Sequence, residues 1–174
     1  EPNGLIEIDY ASNVAPDSLE KGYTSYKKAI DPISLAIEYE HLENNFNDYS
    51  IQLLLPQKQS TKGTGVVVGD VNNDGLDDFF VGNAAGAHAA LYVQNKNGLF
   101  DRSNESLWSK ERHYEDANAL FFDADQDGDQ DLYVVSAGYE LNENNPLLQD
   151  RLYLNNGSGS FTKKNNALPK MLVS

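Results

Sequence analysis

Two acidic runs in the chain have the residue types and the spacing of a cation-binding loop. The first run places side-chain oxygens at positions 1, 3, 5 and 9 of a nine-residue segment, at Asp70, Asn72, Asp74 and Asp78. Calcium takes about six to eight oxygen ligands, so a loop with an oxygen-bearing side chain at every second residue can wrap around the ion. Gly75, at position 6, permits the sharp turn that such a loop requires. The first run therefore predicts a calcium site.

The second run repeats this arrangement with carboxylates alone. Its oxygens fall at the same four positions, at Asp123, Asp125, Asp127 and Asp131. Gly128 again occupies position 6, and the main-chain carbonyl at position 7, of Leu76 or Asp129, can then point towards the ion. Magnesium fits less well because it keeps several waters in a near-ideal octahedron, and neither run contains the nitrogen or sulfur ligands that favour zinc. We therefore predict two calcium sites.

An EF-hand loop and a generic acidic turn are the alternatives to this interpretation. An EF-hand needs glutamate at position 12 and flanking helices. Position 12 is Val81 in the first run and Val134 in the second, and each lies inside an apolar segment. A single acidic turn would be a weak signal, but two at equivalent places in a repeat favour calcium bound in a β-hairpin.

An internal repeat contains both runs. GVVVGDVNNDGLDDFFVGN begins at Gly65 and corresponds to ALFFDADQDGDQDLYVVSAG from Ala119, with Asp70 shifted by 53 residues to Asp123. ALYVQNKNGLF from Ala90 corresponds to RLYLNNGSGSF from Arg151 with a shift of 61 residues, so about eight residues entered the second copy between its two halves.

The apolar segments of each repeat are short, rich in Val, Phe, Tyr and Leu, and bounded by Gly, Asn or Asp, which indicates strands. Four antiparallel strands per repeat, covered on both faces, are typical of a propeller blade. The predicted fold is all-β, a β-propeller fragment of about two four-stranded blades. We assign residues 64–103 to one blade, 104–174 to a second blade and the start of the next, 33–63 to a lead-in segment, and 1–32 to a linker and the tail of a preceding module.

The repeated pattern D-x-[DN]-x-D-G-x-x-D between two β-segments resembles the FG-GAP/VCBS repeat of integrin α-chain heads and of bacterial secreted proteins. The resemblance is closest to bacterial propellers associated with UnbV/ASPIC modules, through EYEHLENNFNDYSIQLLLP, the two acidic segments and RLYLNNGSGSF, and GLIEIDYASN resembles the tail of an UnbV-type module. It covers roughly Glu38 to Ser174. The namesake triplets are altered, to Phe80-Val81-Gly82 and Gly86-Ala87-His88, so no integrin-like ligand binding is inferred.

The resemblance implies bound calcium at the loop oxygens and an extracellular, periplasmic or cell-surface location. It also implies a propeller of about seven blades, of which this chain supplies two. We therefore expect the open blade faces to pack on the N-terminal 60 residues, on the remaining blades of a parent chain, or on a second copy.

Composition excludes several classes of function. With 27 acidic and 13 basic residues, the net charge of −14 argues against binding nucleic acid or an anionic membrane surface. The chain has no cysteine, and no apolar stretch approaches the roughly 20 residues of a membrane span. His41, His88 and His113 lack the spacing of a metal or catalytic motif, so surface or hydrogen-bonding roles are expected for them.

Two functions agree with these features. The favoured one is a non-enzymatic, calcium-stabilised module that binds or scaffolds a glycan or protein ligand. The alternative is the propeller part of a polysaccharide-active enzyme, which is disfavoured because no convergent acid, base or arginine cluster is visible. For Trp108 and the strand tyrosines Tyr92, Tyr133 and Tyr153, packing in the core is favoured over a sugar-stacking surface. Glu115-Asp116 is expected to satisfy backbone groups near the second loop rather than to act in catalysis.

Overall fold

The computed structural model describes residues 37, 39–43 and 45–170, all within the unit Leu35–Ser174. The predicted tail and linker at 1–32, with the UnbV-like GLIEIDYASN segment, lie outside the described residues, as do positions 171–174 at the predicted start of a further blade. Two four-stranded antiparallel sheets dominate the described part of the chain. The predicted all-β fold with two propeller-type blades is confirmed.

The first sheet is a simple up-and-down meander. Its strands are β1 (Val66–Gly69), β2 (Asp78–Val81), β3 (Ala90–Gln94) and β4 (Phe100–Ser103), paired in that order. The register sets Val67 opposite Phe80 and Leu91 opposite Ser103. The sequence Asn-Lys-Asn-Gly at 95–98 predicts a hairpin turn, and Gly98, with a φ of +76°, lies in the turn between β3 and β4 in a conformation that glycine adopts without strain.

The second sheet repeats this topology, but its first two strands are longer than those of the first sheet. Its strands are β5 (Glu115–Phe122), β6 (Asp131–Ala137), β7 (Arg151–Leu154) and β8 (Thr162–Lys163), again paired in chain order. An irregularity between Asp116 and Asn118 interrupts the pairing of β5 with β6. Of the extra residues of the second repeat, three lengthen β6 and five lengthen the connection between β6 and β7, which includes a short 3-10 helix at Pro146–Leu148.

A short helix, α1 (Glu105–Glu111), connects the sheets and was not predicted from the sequence. The residue before it, Asn104, has a φ of +58°, which asparagine tolerates better than most residues. The Asn104 side chain donates to the carbonyl of Gly159 at 2.7 Å and accepts from the N–H of Phe161 at 3.0 Å. The entry to α1 is therefore fixed by the last hairpin of the second sheet.

The larger of two hydrophobic clusters among the described residues contains side chains from both sheets. Its buried members are Val71, Phe80, Leu91, Trp108, Phe121, Leu132, Val134, Tyr153 and Phe161. Trp108, only 3% exposed, contacts Phe80 of the first sheet and Tyr153 of the second, with ring centroids 5.1 and 5.3 Å away. Core packing of Trp108, Tyr92 and Tyr153 is confirmed, since all three are buried, while Tyr133 is half-buried.

The outer face of the first sheet is partly covered by the lead-in segment. Ile37 and Tyr39 pack against Val81, Ala90 and Tyr92. The Tyr39 hydroxyl also donates to the carbonyl of Gly82 at 2.6 Å. Packing of an open blade face on the N-terminal 60 residues is thus observed for the first blade.

Candidate metal centre

The two acidic runs form the hairpin connections β1–β2 and β5–β6. Residues 70–77 link the first pair of strands and residues 123–130 the second, so both connections have the same length. In an up-and-down sheet the connections between strands one and two and between strands three and four lie at one end. We call this the acidic end, and it also carries the turns 95–99 and 155–161.

The first aspartate of each loop binds the backbone of the loop itself. Asp70 accepts from the N–H of Asp74 at 3.1 Å and of Gly75 at 2.8 Å. Asp123 accepts from the N–H of Gln126 at 2.7 Å and of Gly128 at 3.2 Å. Each carboxylate therefore folds its loop into a closed turn and holds the oxygens of the following residues on one side.

The last aspartate of each loop is fully buried and joins three strands. Asp78 accepts from the N–H of Val71 at 3.0 Å and from the N–H of Gln94, at the end of β3, at 2.8 Å. In the second loop, Asp131 makes the equivalent bonds to Ala124 at 2.9 Å and Asn155 at 2.8 Å. Burial raises the pKa of Asp78 against the lowering effect of its two hydrogen bonds, and the charges of Asp74 and Asp70 add to the rise.

Three carboxylates of the second loop converge on one point. Asp123, Asp125 and Asp131 each offer an oxygen, and these oxygens lie within 4.8 Å of one another. Burial raises the pKa of Asp125, and the charges of Asp127 and Asp131 raise it further. Like charges this close repel unless a cation lies among them. The donor set is all oxygen, and its chemistry fits calcium.

The first loop brings its middle residues together in a similar way. The Asn72 amide donates to the carboxylate of Asp74 at 3.0 Å, and its oxygen accepts from the Asp74 N–H at 3.1 Å. The N–H of Leu76 donates to Asp74 at 2.9 Å. Because an amide takes the place of the second carboxylate, this loop carries less negative charge than the other. The carbonyl roles of Leu76 and Asp129 stay predictions.

The carboxylate of Asp129 has a different environment from the other loop acids. Asp129 is 8% exposed, and its Oδ1 is buried without a hydrogen-bond partner among the described residues. Burial, a hydrogen bond shared with the Asp127 carboxyl and the charges of Asp127, Asp131 and Asp125 raise its pKa to about 6. Position 7, which the sequence singles out only for its carbonyl, therefore also carries a buried carboxylate in the second loop.

Asn155 is a structural residue of the acidic end that sequence reasoning missed. Its amide donates to the carbonyl of Val71 at 2.7 Å and to that of Gln130 at 3.1 Å. Asn155 therefore ties the first loop to the second. The sequence Asn155-Asn156-Gly157 predicts a hairpin turn, but nothing in its spacing indicates a contact with a loop 84 residues earlier.

Glu115 and Asp116 lie at the other end of β5, so the expectation that they satisfy backbone groups near the second loop is wrong. Asp116 instead accepts from the N–H of Asn83, in the neighbouring sheet, at 3.0 Å. It also forms a buried ion pair with Arg151 of β7, whose guanidinium lies 4.2 Å over the ring of Tyr114. This pair fastens the end of the sheets opposite the loops.

No helix among the described residues is long and apolar enough to cross a membrane. Comparison with curated proteins finds no match, and comparison with solved structures finds none either. The family model of the FG-GAP-like repeat matches residues 70–134, from the first aspartate of the first loop into β6 of the second sheet. This part of the chain is therefore similar to FG-GAP-like repeats, and the two four-stranded sheets agree with a β-propeller fragment built from such repeats.

Proposed function

We propose that this chain is a calcium-stabilised β-propeller module and that each acidic loop binds one calcium ion. The observation that carries the proposal is the convergence of Asp123, Asp125 and Asp131, whose oxygens lie within 4.8 Å of one another. Asp127 is not among these three converging residues, and we keep it as a proposed fourth carboxylate ligand of the second loop. The first loop would hold its ion through Asp70, Asn72, Asp74 and Asp78.

The role of calcium in this proposal is structural. The ion would neutralise crowded carboxylates, and through Asp78 or Asp131 it would strengthen the connection between three strands of a sheet. Extracellular calcium modules have dissociation constants near ~10⁻⁴–10⁻³ M. With free calcium at about one to ten times that value, each site would contribute about 0.4–1.4 kcal/mol to the free energy of unfolding. An extracellular, periplasmic or cell-surface location, where calcium is plentiful, belongs to the same proposal.

Thermal denaturation tests calcium binding directly. We expect the melting temperature to fall when a chelator is added, to recover with calcium, and to recover poorly with magnesium. Asp123→Ala with Asp125→Ala should remove half or more of the calcium-dependent shift. The matched control is Asp77→Ala, which removes an exposed acid of the first loop that is not a predicted ligand, and it should leave the shift unchanged. Equal melting temperatures with chelator and with calcium would refute the proposal.

We further propose that the module binds or scaffolds and has no catalytic centre of its own. In support, several charged side chains away from the loops have structural partners, with Arg151 bonded to Asp116, Lys163 to Glu111, and the buried Asp48 to Ser60. A glycan or protein ligand is the expected partner. Binding on a glycan array without turnover would support a module, whereas cleavage of an acidic polysaccharide would establish the enzyme instead.

Exposed apolar side chains on β1 and β5 are the reason to propose further partners for this chain. Val66 and Val68 on β1 are 62% and 60% exposed, and Leu120 and Phe122 on β5 are 55% and 41% exposed. We propose that the remaining blades of a parent chain, or a second copy, cover these faces. Sedimentation of the isolated chain should show self-association that weakens in Leu120→Ser, and a strictly monomeric chain would exclude the second copy.

A further inference from the structure

A cavity of about 510 Å³ lies at the end of the second sheet opposite the acidic loops. It is bounded by the last part of the β6–β7 connection, by the first residue of β7, and by residues 163–170, which continue from β8. Cavities that hold small molecules in proteins have volumes of about 300–1,000 Å³. This cavity is therefore large enough to take a short stretch of a longer ligand.

Basic side chains line this cavity in an otherwise acidic protein. The chain has a net charge of −14, yet four of its 13 basic residues line the cavity, namely Arg151, Lys163, Lys164 and Lys170. Asp150 is the one acid among the described residues that line it. Its carboxylate accepts from the N–H of Ser136 at 2.9 Å and from the hydroxyl of Tyr133. The cavity therefore has an excess of positive charge, at a place remote from both acidic loops.

The four basic side chains form two classes. Lys163 is bonded to Glu111 at 2.6 Å, and Arg151 is held by the buried ion pair described above. Lys164 and Lys170 are exposed, and within the described part of the chain their side chains have neither an ion pair nor a hydrogen bond. An ammonium group has three donors and no acceptor, so these two lysines are available to an anionic ligand.

The other lining residues favour a sugar over a peptide. Asn165 and Asn166 line the cavity beside the lysines, and an amide both donates and accepts, as bonding to a sugar hydroxyl requires. Protein partners depend on aromatic and apolar anchors that fill pockets. Here the ring of Tyr114 is already covered by cations, with the Arg151 guanidinium 4.2 Å and the Lys163 ammonium 4.5 Å from its centroid.

We propose that this cavity binds an acidic polysaccharide, with Lys164 and Lys170 contacting its carboxylate or sulfate groups. The inference names the ligand class of the proposed binding module and rests on that proposal. Asn165 and Asn166 bond to the sugar hydroxyls. The acidic loops lie at the opposite end and repel the same polymer, so the ligand is confined to the cavity.

Calorimetric titration of the whole chain tests the ligand class. The probes are an oligogalacturonate, its fully methyl-esterified form, which has no charge, and a sulfated dextran oligomer. We expect one or both of the anionic oligomers to bind, more weakly as the salt concentration rises, and the ester to bind at least about tenfold more weakly than the oligogalacturonate or not at all. Repeating the titrations in chelator excludes a calcium ion that bridges the sugar and the acidic loops.

Two matched double variants test the residues. Lys164→Gln with Lys170→Gln should weaken binding of the anionic oligomer by about tenfold and leave the melting temperature unchanged, because neither side chain has a partner in the protein. Lys96→Gln with Lys110→Gln removes the same charge from exposed positions outside the cavity and should change the affinity by less than about twofold. In NMR titrations, the amide signals of residues 163–170 should shift, and those of the two acidic loops should not.

The outcomes distinguish this inference from the proposal beneath it. Equal affinities of the natural chain and the Lys164/Lys170 double variant, or NMR shifts confined to other residues, would overturn the inference. Tighter binding of polyglutamate than of either acidic sugar would also overturn it and would assign the cavity to an acidic peptide. Binding of only neutral glycans would overturn the inference and leave the proposed binding module in place. A chain that binds neither glycans nor proteins would overturn both.

Discussion

At the scale of single residues, the two ends of each acidic loop serve different purposes. Asp70 and Asp123 hold the loop backbone, whereas the buried Asp78 and Asp131 connect strands. The last aspartate therefore contributes to the sheet whether or not a cation is bound. Its carboxylate is both a predicted ligand and a structural hydrogen-bond acceptor.

Removal of Asp78 tests this dual role. Asp78→Ala should lower the free energy of unfolding even in chelator, by about 1–3 kcal/mol for each of the two N–H groups left without an acceptor. Asp77→Ala removes the same charge from an exposed neighbour and should have little effect. Urea denaturation in the presence of chelator measures the free energy of unfolding of both variants. Equal stability of the two variants would show that Asp78 acts only through a cation.

Asp48 gives the lead-in segment a dependence on pH. It is buried and accepts from the N–H groups of Gln59 and Ser60 and from the Ser60 hydroxyl. Burial raises its pKa, but these hydrogen bonds outweigh burial and hold the pKa below its ordinary value. A lowered folded-state pKa contributes stability above the unfolded pKa, and this stability is lost as the pH falls through the folded value.

We therefore expect the natural chain to be more stable than Asp48→Asn at pH 7, with a difference that shrinks below about pH 4. Urea midpoints measured between pH 7 and pH 3 give the comparison. A difference that stays constant over this range would assign the effect to the shape of the side chain rather than to its charge.

At the scale of elements, a buried ion pair fastens β5 to β7. Arg151 and Asp116 have side chains that are 4% and 6% exposed, and Asp116 also accepts from Asn83 of the first sheet. Breaking a buried pair by removing one partner leaves an unpaired charge in the interior. The pair therefore holds together three segments that are distant in the sequence.

Arg151→Met should destabilise the chain by about 3–5 kcal/mol, because Asp116 then stays buried without its cation. Adding Asp116→Asn to this variant should recover part of the loss. The free energies of unfolding of the two single variants and the double variant measure the coupling. Losses that simply add would show that the two charges do not stabilise each other.

The extent to which the sequence predicted these elements depends on the range of each interaction. The loops and turns were predictable because their signals are local, as in the spacing of Asp70 to Asp78 or the Gly98 turn. The helix α1 was missed because Asn104 and Trp108 are fixed by contacts with the second sheet. The pairing of Arg151 with Asp116 was missed because 35 residues separate them. No local sequence pattern indicates either of these long-range contacts.

At the scale of the molecule, the shared core makes the two sheets interdependent. Trp108 packs on Phe80 from one sheet and on Tyr153 from the other. Asn155 adds a polar connection between the two loops at the acidic end. Neither sheet has a separate core of comparable extent, so we expect them to unfold together.

Trp108 is the only tryptophan, and its fluorescence reports on the contact between the sheets. Fluorescence and far-ultraviolet circular dichroism should give coincident denaturation curves. Phe80→Ala should move both curves together, by about 3–5 kcal/mol in the free energy of unfolding. Separate transitions for the two probes would mean that one sheet persists after the other has unfolded.

The largest difference in length between the two repeats lies at the end opposite the acidic loops. The acidic connections both have eight residues, 70–77 and 123–130, whereas the connection 82–89 between β2 and β3 lengthens to 138–150 between β6 and β7. The same architecture therefore accepts a change of five residues at the end opposite the loops. The exposed positions 142–144 within this connection are therefore a suitable place to insert an affinity tag or a fluorescent label, because the acidic end would keep its spacing and could still report on bound ions.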